Sequence, residues 1–102
     1  MNPGCTITAH LLAKPDKREE LLGILCSFID PTRAEAGCVE YHLHVSDSDP
    51  NLFIFYENWR SRADLDEHLA LPLLSNFIAR AADLLARDVD IQFMTMLSAY
   101  DK

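Results

Sequence analysis

The chain has 102 residues, 49% of them hydrophobic, and a formal charge of -7. That length holds one domain with one core, and about half apolar side chain is generous for it, so part of the apolar surface is expected to meet a partner. The acid excess, uninterrupted by any basic stretch, works against a phosphate backbone, and no apolar run is long enough for a bilayer, so neither nucleic acid nor membrane is an expected partner.

Residues 5–13, CTITAHLLA, alternate as a strand. Cys5, Ile7, Ala9, Leu11 and Ala13 share one face, and Thr6, Thr8, His10 and Leu12 the other. Pro15 breaks the strand, and Asp16 with Glu19 three positions on reads as a capping box. Leu21, Leu22, Leu25, Phe28 and Ile29 then repeat at helical spacing until Pro31. A loop or one last helical turn, TRAEAG, leads to the strand CVEYHLHVS. The polar reversal Asp47 to Asn51 joins it to the strand LFIFYENW as a hairpin. Phe53, Phe55, Glu57 and Trp59 share one face of that strand. Ser61 is a good N-cap, with Asp64 at the third helical position, for a helix carrying Leu65, His68 and Leu69. Pro72 divides it from a second amphipathic helix, which runs through Leu74, Phe77 and Leu84 and is closed by Asp88. The last strand reads VDIQFMTML from residue 89.

The order is β-α-β-β-α-β, with the second helical region split. This predicts a single α+β domain, residues 1–102, of ferredoxin-like topology. An antiparallel sheet with both helices on one face leaves its other face bare, and here that face is expected to keep aromatics and aliphatics. Homodimerisation through the sheet faces, giving a dimeric α/β barrel, is the simplest way to cover it.

Cys5, Cys26 and Cys38 are odd in number and widely spaced, and no Cys/His cluster marks a zinc site. Buried free thiols are expected. With no N-terminal basic segment ahead of an apolar run, so is a cytoplasmic location. His42 and His44 place two rings on one strand face and His10 could join them, but no carboxylate or cysteine stands at a diagnostic further position, so no metal is expected.

The stretch Gly37-Cys38-Val39-Glu40-Tyr41, the Asp49-Pro50-Asn51 turn, Phe53, Glu57, Trp59, Ser61, Leu65 and His68-Leu69 resembles the antibiotic biosynthesis monooxygenase family, in its quinol-monooxygenase-like branch. Pro31, Arg33 and Glu35 upstream fit the same pattern. The resemblance implies a dimer whose sheets meet, and a chemistry in which molecular oxygen oxidises a quinol-like or polyphenolic aromatic without metal, flavin or other cofactor. It also leaves open a non-oxidative enzyme acting on a small phosphorylated sugar or carbonyl compound, or a binding protein without turnover. Phe55 stands where the anthrone-oxidising branch places an Asn that orients substrate oxygens. Ala9, His68 and Ile78 stand where the haem-degrading branch has Asn, Trp and His, so haem cleavage is not expected.

Each candidate residue has a structural reading beside its functional one. His68 is either a satisfied core histidine or the proton acceptor for a substrate hydroxyl. Trp59 packs the core or dimer contact, or forms a cavity wall that stacks on a planar ring. Glu57 is a carboxylate on an apolar strand face and needs a partner. That partner is an arginine, Arg60 or Arg80 or one from the dimer mate, or it is His68, which Glu57 would then orient. Phe55, Tyr41, Ala9 and Met94 are the expected substrate contacts. Arg60, Arg62, His42 and His44 are the groups available to a phosphate.

Overall fold

Strand β1, Cys5–Leu12, is an inner strand of the sheet in the computed structural model, which describes residues 2–100. Its alternation holds: Ile7, Ala9, Leu11 and the following Ala13 are all buried. It pairs with β3, Leu52–Trp59, on one side and β4, Asp90–Met94, on the other. Strand β2, Cys38–Val45, is the outer neighbour of β3. The order is therefore β2-β3-β1-β4, all antiparallel, which is the ferredoxin-like topology expected from the sequence.

The helices pack on one face of this sheet. Asp16 does not cap the first of them. Pro15–Lys17 forms a 3-10 turn, closed by the Lys17 N–H on the Lys14 carbonyl at 2.8 Å, and helix α1, Arg18–Ser27, starts after it. Pro31 does not end the helical region either. The chain breaks at Phe28 and restarts as α2, Ile29–Arg33, with Pro31 in its first turn, where a missing N–H costs nothing. Helix α3, Arg62–Leu69, begins as expected: the Ser61 hydroxyl accepts the Asp64 N–H at 3.1 Å. Helix α4 spans Pro72–Leu84 and turns Leu74, Phe77 and Leu84 inward. Strand β4 is shorter than expected: its pairing with β1 runs only from Asp90 to Met94, and Val89 and Thr95 to Leu97 lie outside it. Beyond it, the Asn2 amide donates to the Met96 and Ser98 carbonyls, 3.1 Å each.

The core lies between helices and sheet. Leu21, Leu25 and Phe28 of the first helical region share one buried cluster with Phe53, Phe55 and Ile7, and Phe28 meets Phe77 edge to face at 5.6 Å. Cys26, one position round from Leu25, is exposed, contrary to expectation. Cys38 is half-buried and Cys5 buried.

The opposite sheet face is more polar than its pattern suggests. Cross-strand register lines up Glu40, Asn58, Thr6 and Met94. The Thr6 hydroxyl donates to Asn58 Oδ1 at 2.5 Å, and Asn58 Nδ2 donates to Glu40 Oε1 at 2.5 Å and to the Tyr56 hydroxyl at 3.0 Å. The apolar part of this face consists of Leu12, Leu52 and Ile54, all half-buried, with Met94 exposed on β4. A bulge at Val39 shifts the register of β2 and turns Val39 to solvent.

Candidate active site

A cavity of about 660 Å³ lies between the helix-facing side of the sheet and helices α1, α3 and α4. Ile7, Ala9 and Leu11 form successive steps of its floor along β1, and Ala9 makes room by being small. Most of the remaining lining is aliphatic or aromatic. Glu57, His68 and the ring of Tyr41 bring polar groups to it, and Arg87 with Asp88 stand exposed where α4 passes to β4.

Glu57 is placed by strand alternation. It pairs with Ile7 on one side and Tyr41 on the other, so it must face the helices. It is 4% exposed. Trp59 follows on the same face and donates its Nε1–H to Glu57 Oε1 at 2.9 Å. The arginines expected beside Glu57 are engaged elsewhere, Arg60 with Asp64 and Arg80 with Glu20. Desolvation without a cation raises the Glu57 pKa to about 7, against the Trp59 hydrogen bond and with a further push from the Glu35 charge.

His68 lies near the end of α3, on the inward side with Leu65, and is 2% exposed. Its Nδ1 is 2.8 Å from Glu35 Oε2. Its ring lies 4.7 Å from the Trp59 ring, and meets Tyr41 edge to face at 5.8 Å. Among the described residues nothing hydrogen-bonds Nε2. Tyr41 stacks on Phe55 across the strand pair at 4.6 Å. Burial, then the Glu57 charge, raises the pKa of the Tyr41 hydroxyl, so it stays a neutral phenol.

The expected residues thus divide. His68, Glu57, Phe55, Tyr41 and Ala9 line one cavity. Trp59 is wholly buried behind that lining, where it holds Glu57 and packs on His68, so it is not a wall that a ligand could stack on. Met94 does not reach the cavity. The register sets Ile91 opposite Ala9 and Met94 opposite Thr6, so Ile91 lines the cavity and Met94 stands on the far face, 43% exposed. Glu57 does not orient His68; Glu35 holds that position.

Glu35 is the residue that sequence reasoning undervalued. It lies 33 positions before His68, in the segment between α2 and β2, and no periodicity links the two. Its signal was its place two residues before Gly37. The Arg60 N–H donates to the Gly37 carbonyl at 2.8 Å, and a Cβ on Gly37 would fall on the Asp64 side chain. Glycine is what lets this segment lie against α3 closely enough for Glu35 to reach His68.

A four-stranded antiparallel sheet carrying helices on one face, with an apolar cavity between the layers, defines a ferredoxin-like α+β protein with an internal cavity. Residues 5–80 match the model of the antibiotic biosynthesis monooxygenase family, and the chain belongs to that family. It is 36% identical to a Mycobacterium tuberculosis protein named "Putative monooxygenase Rv0793" over 95% of each chain. The solved structure of Rv0793 superposes with a TM-score of 0.88, covering 95% of this chain and 98% of that one. PA3566 from Pseudomonas aeruginosa gives 0.88 at 34% identity, covering 96% of this chain and 98% of its own. A Synechocystis protein, sll1783, is 37% identical over 84% of this chain, which spans only 58% of that relative's length.

Proposed function

We propose that this cavity is the active site of a cofactor-independent monooxygenase that oxidises a quinol-like or polyphenolic aromatic with molecular oxygen. The observation that carries the reading is a histidine with an unbonded ring nitrogen and a neutral-range carboxyl lining one apolar cavity, each bonded to its own partner. His68 Nε2 takes the proton of a bound hydroxyl. The resulting phenolate is electron-rich enough to reduce oxygen directly. One oxygen atom enters the ring and the other leaves as water, so a hydroquinone gives a hydroxylated quinone with atoms and electrons in balance. The stacked pair Tyr41 and Phe55 offers a flat surface for the ring, and the aliphatic lining keeps water from the carbanion-like intermediate. Glu57, titrating near neutrality, is placed to give or take the second proton.

The phosphorylated-sugar reading has less support. Arg60 and Arg62 pair with Asp64 and Asp66, and Arg62 also lies over the Phe93 ring at 4.3 Å. His42 and His44 are exposed and belong to the far sheet face. Of the groups named for a phosphate, none lines the cavity.

The test is oxygen consumption by the purified, metal-free protein with a panel of hydroquinones and anthrones, beside His68→Ala. Consumption above autoxidation that falls about 100-fold in the variant is expected for loss of a proton acceptor. A flat trace across the panel, or a variant as active as the parent, overturns the reading.

A further inference from the structure

Among the polar groups at the cavity, His68 has the arrangement that most constrains a ligand. Its imidazole is nearly inaccessible from outside, and the Trp59 and Tyr41 rings stand against it. Its two nitrogens have different surroundings: Nδ1 meets Glu35 at 2.8 Å, and Nε2 meets no hydrogen-bonding group among the described residues. A carboxylate has no proton to give, so the bond requires the proton to sit on Nδ1. In a neutral imidazole the other nitrogen then carries a lone pair. Glu57, the buried carboxyl that lines the cavity, does not compete for the ring, since it accepts from the Trp59 indole.

Glu35 is itself fixed. Its N–H donates to the Thr32 carbonyl at 3.0 Å, and its own carbonyl accepts the Cys38 N–H at 3.1 Å. Gly37 sets the distance from this turn to α3, as described above.

We propose that Glu35 is the positioning residue of this site: it holds His68 in the tautomer with Nδ1–H, so that Nε2 faces the cavity as an acceptor and selects ligands bearing a hydroxyl. The inference rests on the proposed function for its place in turnover, but not for its consequence in binding. With the imidazole neutral, Nε2 has no proton to offer, so a ketone or a methyl ether in the same position finds no partner and leaves a buried acceptor unmet. A phenol donates to it. The cavity therefore discriminates by hydrogen-bond direction rather than by shape alone. The same direction of bonding suits the loss of that proton to His68.

Two measurements decide this without requiring turnover. The first is the ¹⁵N spectrum of histidine-labelled protein at alkaline pH, with His68 assigned by difference from His68→Gln. A protonated Nδ1 and an unprotonated Nε2 are expected in the parent. Glu35→Ala should give a mixture of tautomers, and Glu35→Gln, whose amide oxygen still accepts, should restore the parent pattern. The second is calorimetric binding of 1-naphthol against 1-methoxynaphthalene. The parent should prefer the naphthol about tenfold, the scale of one buried hydrogen bond, and Glu35→Ala should bring the two near parity. A parent His68 with its proton on Nε2 overturns the proposal, and so does a preference unchanged in Glu35→Ala. The parent spectrum decides even if that variant fails to fold. A correct tautomer and preference without oxygen consumption would remove the oxygenase reading and leave this one standing.

Discussion

Among the described residues Glu57 has no cation beside it, and its proton balance follows from that. Its folded pKa of about 7 lies above its ordinary 4.5. The folded state therefore holds the proton more tightly than the unfolded chain does, and stability falls as pH rises between those two values. At most about 3 kcal/mol is lost across that window. Glu57→Gln keeps an acceptor for the Trp59 indole and removes the charge. It should flatten the pH dependence between 4.5 and 7 and unfold at higher denaturant than the parent at pH 8. A parent-like slope in the variant, measured by urea titration, would show that the carboxyl is not desolvated. The type and face of Glu57 were legible from strand alternation. Its partner was not, because a hydrogen bond from the next residue on the same face and one from across the fold leave the same trace in the sequence.

At the scale of elements, the site depends on how closely the turn before β2 approaches α3. Alternation of period two and the Ser61 cap placed the strands and the start of α3 without the structure. The start of α1 and the break at Phe28 depart from the sequence expectation: Asp16 lies within a 3-10 turn and does not cap the helix, and Pro31 does not end the helical region. Pro15 and Pro31 each stand in the first turn of a short helical segment, where proline is tolerated. Met94 was misassigned for a related reason. A strand's two faces are legible, but which of them meets the helices depends on its register against β1. Gly37→Ala should push the turn off Asp64 and cost about 1–3 kcal/mol in thermal or chemical unfolding. The His68 ¹⁵N pattern should be disturbed with it, since Glu35 sits on the same turn. A stability equal to the parent's would mean that the turn yields easily and does not set the Glu35 distance.

At the scale of the molecule, one sheet face holds the cavity and the other is open. The open face has two parts: a hydrogen-bonded group around Asn58, and an aliphatic patch of Leu12, Leu52 and Ile54. We propose that a second copy of the chain covers it, the arrangement that the family resemblance implies and the simplest symmetric cover for such a face. Sedimentation should give twice the chain mass. Ile54→Glu, in the middle of the patch between His44 and His10, should return a folded monomer. A monomeric parent at micromolar concentration would refute the pairing. Topology and family were legible because each strand announces itself locally and the Gly37 to Leu69 pattern is distinctive. The contents of the open face were not, since the pattern shows which residues share it but not that Thr6, Asn58 and Glu40 bond to one another across three strands.

Trp59 is the chain's one tryptophan, wholly buried, bonded to Glu57 and packed on His68. Its ultraviolet emission therefore arises at the two groups assigned to proton handling and nowhere else in the molecule. Every change there, whether a carboxyl gaining its proton or a ligand arriving over the imidazole, alters the surroundings of the single indole. The protein carries an intrinsic optical gauge of its own cavity, with no dye to attach and no background from a second indole.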